Sequence, residues 1–230
     1  MSDAERGRLA ARPRRPDDGF DETRPAGASP LGLGAARDGI VHVPPGLAAD
    51  PARPAPLLVL FHGAGGEAGQ LLPLFAPLAD ERGLLLLLVD SRGRTWDVIL
   101  GGYGPDVAFV DRALGRTFAR FAVDPARVAV GGFSDGASYA LSLGLANGGL
   151  FTHVLALSPG FVAPAGTEGA PRVFVSHGDR DDVLAVDRTS RRIVPTLERA
   201  GYEVTYREFA GGHVVPPEVV LEAVGWFAGA

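Results

Sequence analysis

Arg127-Val128-Ala129-Val130-Gly131-Gly132-Phe133-Ser134-Asp135-Gly136-Ala137 decides how this chain is read. Val128–Val130 is an apolar run of strand type, and Ala137–Leu145 is a good helix former. Gly132 and Gly136 flank Ser134 in a G-x-S-x-G spacing between the two. Strand, tight turn and helix are the context in which a serine is lifted clear of a sheet edge, with a helix N-terminus aimed at its hydroxyl. Flanking glycines leave room for such a turn. The bland alternative is a Gly-rich turn with a serine N-cap. Nine serines and 32 glycines in 230 residues make a chance match conceivable, so the pentapeptide needs partners elsewhere in the chain.

Working outward, strand-length apolar runs recur at Gly39–Val43, Leu57–Phe61, Leu84–Asp90, Arg127–Phe133, His153–Leu157, Arg172–Ser176 and Glu203–Phe209. Helical spacing predicts helices at Leu72–Arg82, Pro105–Phe121, Asp135–Ala146, Asp187–Ala200 and Glu218–Ala228. In Pro105–Phe121, Val107, Val110, Leu114, Phe118 and Phe121 form one stripe. Strands apolar on both faces and alternating with helices predict a mostly parallel sheet covered on both sides. Residues 1–30 show no periodicity, and their six acidic and six basic residues cancel. They read as an extended arm with a short edge strand near Gly7–Ala11, and residues 31–230 as one α/β domain.

Composition narrows the chemistry. There is no cysteine, which removes thiol nucleophiles, disulfides and Cys-ligated metals. All 22 basic residues are arginine, so Schiff-base chemistry and the phosphate-loop lysine are excluded too. A net charge of −5 without a basic block gives no support for nucleic-acid binding. The longest apolar run, Leu84–Val89, is far short of the ~18–20 residues of a membrane span. Arg14-Arg15 is followed by no apolar stretch of secretory type, so a cytoplasmic protein is expected.

His62-Gly63-Ala64-Gly65-Gly66-Glu67-Ala68 contains a G-x-G-x-x-A match, and Asp90 ends the next strand, as in a dinucleotide fingerprint. Two prolines argue against it. Pro73 suits the first turn of a helix, and Pro77 disfavours a long helix opening at Gly65, where a pyrophosphate would need one.

A serine hydroxyl needs a base, and the base an orienting acid. Of the five histidines, His42 and His153 lie in strand-like runs, and His62 and His177 precede glycines where an imidazole can brace a loop. His213 sits in Ala210-Gly211-Gly212-His213-Val214, a loop on no apolar face, after the last strand and on the edge where ligands bind in open parallel sheets. It is the candidate base. For the acid, His177-Gly178-Asp179-Arg180-Asp181-Asp182 offers three aspartates, among which spacing does not choose. Two of them are expected to be solvated or capping carboxylates.

Together these motifs resemble the α/β-hydrolase fold, and within it the group of small carboxylesterases and acyl-protein thioesterases. The resemblance covers residues 38–230 and rests on Leu60–Gly66, Gly132–Gly136, His177–Asp181 and Gly211–His213. It implies a three-layer fold with a mostly parallel central sheet and a catalytic set of Ser134, Asp181 and His213. The backbone N–H groups of Ala64 and Asp135 are implied as an oxyanion hole. Trp96, in Arg94-Thr95-Trp96-Asp97, resembles an aromatic lining the substrate cleft, with a rim or core position as the alternative. Two features depart from the pattern. Leu184-Ala185 stands where the family often has proline after the acid loop's valine, and Ser158–Pro171 is too short for a helical cap domain. The implied activity is hydrolysis of small or medium acyl esters without metal or cofactor, acting on a small-molecule substrate. A thioesterase, polyester-cleaving enzyme or peptidase with the same triad, or a non-catalytic binding protein on the same fold, are the alternatives.

Overall fold

The computed structural model describes residues 2–14, 25–34, 36–50 and 52–229. Among the described residues eight strands form one sheet: β1 (Gly27–Pro30), β2 (Gly39–Val43), β3 (Ala55–Phe61), β4 (Leu85–Val89), β5 (Val123–Phe133), β6 (His153–Leu157), β7 (Arg172–Gly178) and β8 (Val204–Phe209). Their order is β1-β2-β4-β3-β5-β6-β7-β8. The pairs β1–β2 and β2–β4 are antiparallel and the rest are parallel. The helices are α1 (Pro45–Ala49), α2 (Leu72–Arg82), α3 (Pro105–Arg120), α4 (Asp135–Ala146), α5 (Ser190–Arg199) and α6 (Pro217–Ala228).

Alternation within the buried strands divides the core. Leu57, Val59 and Phe61 join the α3, α4 and α5 side chains, whereas Leu58 and Leu60 join Phe75 of α2 and Val220 and Phe227 of α6. Fully burying each such side chain contributes roughly 1.5–3 kcal/mol, so a strand apolar on both faces is worth most in the middle of three layers. The α3 stripe is buried as its spacing requires. Residues 158–171 form neither helix nor strand.

The N-terminal segment differs from expectation. Gly7–Ala11 is not an edge strand: it crosses the outside of α3 and α4. The N–H groups of Gly7 and Arg8 bond the backbone carbonyls of Ala4 and Asp3, and the next three are taken by side chains, Leu9 by Asn147 Oδ1 just past α4 and Ala10 and Ala11 by Asp111 Oδ1 of α3. The edge strand is β1, within the expected arm; Pro30, which has no N–H to donate, is tolerated at its end. The remainder of the arm, residues 15–24, lies outside the described residues.

The chain runs from β3 out to β4 and returns to β5 on β3's other side. Such a switch point opens a crevice at the carboxyl ends of the two central strands. The loops after β3 and β5 meet there, with Phe61 paired to Gly132.

Candidate active site

Ser134 follows β5 directly, with φ 58° and ψ −119°. A non-glycine residue here is strained, and it persists only where its surroundings dictate it. The surroundings are the two glycines. A Cβ on Gly132 would overlap the Gly136 carbonyl, and one on Gly136 would overlap the Phe61 carbonyl. The turn is thus packed backbone to backbone, and Ser134 N–H is tied to Leu157 O at 2.9 Å.

Ser134 Oγ lies 2.8 Å from His213 Nε2, and His213 Nδ1 lies 2.6 Å from Asp181 Oδ2. With Asp181 ionised, Nδ1–H donates to it and leaves Nε2 free to accept from the serine hydroxyl. The Phe133 ring packs on the imidazole at 4.7 Å. Asp181 is buried, and its Oδ1 accepts from the N–H groups of Val183 and Leu184. Burial pushes its pKa up, but the hydrogen bonds from Leu184 and His213 outweigh this and hold it below the usual range.

The other two aspartates separate cleanly. Asp179 Oδ1 accepts from Gly211 N–H at 3.0 Å, pinning the histidine loop, and Asp182 is exposed. The acid and histidine loops are zipped together by Asp179 N–H to Phe209 O and Arg180 N–H to Gly211 O. Gly178 makes the approach possible, because a Cβ there would overlap the Gly211 and Gly212 carbonyls. Leu184-Ala185 does not disturb this loop, since Leu184 N–H still reaches Asp181.

The N–H groups of Ala64 and Asp135 have no hydrogen-bond partner among the described residues. Ala64 is exposed in the loop after β3, and Asp135 opens α4. The glycine run around Ala64 opens no helix: α2 begins at Leu72, after a short 3-10 turn at Ala68–Gln70. Asp90 accepts from Ala68 N–H and pairs with Arg37. The acid of the apparent dinucleotide fingerprint therefore anchors a loop.

His62 braces that loop. Its Nδ1 bonds Gly63 O and its Nε2 accepts from Ser91 N–H. Desolvation lowers its pKa, and the Arg37 guanidinium lowers it further. Arg37 also donates to Gly66 O and Ser91 O, both at 2.6 Å. Nothing in its surrounding sequence marks Arg37 for this; the contact is purely tertiary.

Trp96 departs from its expected place in the cleft. It is fully buried, stacked on Tyr139 at 4.7 Å and packed on Phe61, and its Nε1–H donates to His62 O. A large apolar ring with one donor is best satisfied under the loop, where both needs are met. Its neighbour Thr95, which the sequence did not single out, reaches Asp135 Oδ2 at 2.5 Å. Among the described residues no cluster of three or more His, Asp or Glu could hold a metal ion, and no helix is long and apolar enough to cross a membrane.

The architecture is the α/β-hydrolase fold, and solved structures agree with it. The chain is similar to the crystal structure of esterase PE8 at 23% identity and TM-score 0.67, over 82% of this chain and 96% of that one. It is similar to the Bacillus cereus carboxylesterase at 22% and 0.63, over 84% and 94%. It is also similar to FphF, a fluorophosphonate-binding serine hydrolase of Staphylococcus aureus, at 13% and 0.72, over 89% and 99%. No family model and no curated protein sequence matches the chain.

Proposed function

We propose that this protein is a serine hydrolase that cleaves carboxylic esters of small to medium acyl chain length through an acyl-enzyme. The observation that carries the reading is the unbroken relay of short hydrogen bonds from Ser134 Oγ through His213 to Asp181, starting at a strained serine beside two unpaired N–H groups. The esterases and serine hydrolases among the structural neighbours support the same class.

Ser134 Oγ attacks the ester carbonyl carbon while His213 Nε2 takes its proton, and Asp181 stabilises the imidazolium. The N–H groups of Ala64 and Asp135 donate to the oxyanion of the tetrahedral intermediate. Collapse breaks the bond to the alcohol, which leaves with the proton from His213. Water, deprotonated by the same imidazole, then attacks the acyl-enzyme and releases the acid. The Asp135 carboxylate beside the nucleophile favours neutral over anionic esters.

The test is intact mass after fluorophosphonate treatment, with peptide mapping, alongside p-nitrophenyl ester hydrolysis. One adduct on Ser134, and loss of about 10⁴-fold or more in turnover for a folded Ser134→Ala, are expected. A folded protein that takes no adduct, or a folded Ser134→Ala that still turns over, refutes the assignment. Preference for a carboxylate-bearing ester over its neutral analogue refutes the substrate reading alone.

A further inference from the structure

Three consecutive residues of the loop after β4 each grip a different part of the site. Arg94 O accepts from Gly65 N–H at 2.6 Å. Thr95 Oγ1–H donates to Asp135 Oδ2 at 2.5 Å, and Trp96 Nε1–H donates to His62 O at 2.9 Å. The first and third bonds land on the loop that carries Ala64, and the second lands on the first residue of α4.

The two N–H groups assigned above to the oxyanion come from separate elements, Ala64 from the loop after β3 and Asp135 from the start of α4 after β5. They are useful only at a fixed separation, because donors contribute to catalysis when they already point at the position the charge will occupy. Misplacement on the order of an ångström is costly. We infer that Thr95 is a positioning residue: by fastening the Arg94–Trp96 segment to Asp135, it joins the two halves of the oxyanion hole into one frame. The inference rests on the ester-hydrolase reading above and adds a residue to it.

The loop does not need Thr95 to fold. Its far end is locked by a reciprocal pair, in which Asp97 Oδ2 accepts from Asp106 N–H at 2.9 Å and Asp106 Oδ2 accepts from Asp97 N–H at 2.7 Å. Arg92 N–H donates to Asp106 Oδ1, and Trp96 is sealed between Phe61 and Tyr139. The Thr95 hydroxyl is spent on the Asp135 carboxylate, and a hydrogen bond to an ionised acceptor is among the stronger and more directional kinds.

The experiment compares the full chain with Thr95→Val, Thr95→Ser and Ser134→Ala, using p-nitrophenyl butyrate as substrate and circular dichroism for folding. Valine keeps the shape and loses the hydroxyl. Removing a direct donor costs ~10²–10³ in rate, so loosening one through its anchor should lower kcat about tenfold. KM should stay within about twofold, because the hole acts on the transition state. Thr95→Ser should recover to within about threefold of the parent, since the hydroxyl returns. A folded Thr95→Val with parental kcat overturns the inference, as does Thr95→Ser being as slow as Thr95→Val, or a loss confined to KM. Those outcomes leave the ester-hydrolase reading intact. A parent that neither hydrolyses the ester nor takes a phosphonate on Ser134 removes that reading, and this inference with it.

Discussion

His177 Nε2 lies 3.2 Å from Asp181 Oδ2, so the carboxylate that accepts from His213 also touches a second imidazole, one wholly sealed from solvent. That ring bonds Leu184 O at 2.7 Å through Nε2 and Ser190 Oγ at 2.7 Å through Nδ1. Desolvation holds its pKa below the ordinary value, so it is neutral at pH 7 and braces the acid loop with Nε2–H. His177→Phe keeps a flat ring, somewhat larger, and strands buried polar groups of Leu184 and Ser190, each worth about 1–3 kcal/mol. A lowered melting temperature together with reduced kcat is expected; an equally stable and equally active variant refutes the brace.

Acid stability should carry two opposed contributions. His62, His153 and His177 all have lowered pKa values, principally from burial. The unfolded chain therefore binds their protons first, and their contribution to stability is lost as pH falls below about 6.5. Asp106 runs the other way. Burial raises its pKa to about 6, so it opposes folding once ionised and opposes it less as pH falls from 6 towards 4. Relative to the parent, Asp106→Asn should be more stable at pH 7 than at pH 4, the difference changing by up to about 2–3 kcal/mol. Urea denaturation at the two pH values measures this, and a difference independent of pH contradicts it.

Gly136→Ala places a methyl group on the Phe61 carbonyl oxygen, where both sides are backbone and neither can yield. Overpacking of this kind costs about 1–3 kcal/mol or more. Ser134 should also become unreactive to fluorophosphonate in whatever fraction still folds. Unchanged stability with full labelling would show that the turn has slack.

Trp96→Phe tests the corrected position of that ring. It retains aromatic packing on Tyr139 and Phe61 and leaves His62 O unpaired. Stability should fall by about 1–3 kcal/mol, while the ratio of KM values for acetate and hexanoate esters stays fixed. A KM ratio that shifts with acyl length would return Trp96 to the cleft.

Most of the sheet was legible in the chain because its strands are apolar on both faces and end in turn residues. β2 and β6 span the residues expected of them, and so do α2 and α4. The misses have physical reasons. β1, with the sequence Gly-Ala-Ser-Pro, is a short edge of small residues that no periodicity announces. Gly7–Ala11 pairs with no strand, because the side chains of Asn147 and Asp111 and the backbone of the preceding turn take its N–H groups. Ser134 and His213 could be put forward because a serine nucleophile limits the residue types it needs and the sheet limits their order. Spacing alone left three aspartates open, and the family resemblance selected Asp181. Arg37 and His177's contact with Asp181 were illegible, since each depends on distances the fold alone sets. Trp96 was singled out for an aromatic role and proved to be a core ring whose indole N–H serves the loop above it.

Ser134 and His213 stand 79 residues apart in the chain, and the second arrives on the last loop before the final helix. During synthesis the serine emerges from the ribosome long before its base exists. Long-range parallel pairing of β7 with β8 then has to form before the two can meet. A chain that stops short of His213 is therefore expected to be chemically silent, and reaction with a fluorophosphonate should report a chain made past His213 and folded. A chain stopped at Gly201 should take no label even at full occupancy of the probe; labelling there would mean the serine is activated by something other than His213.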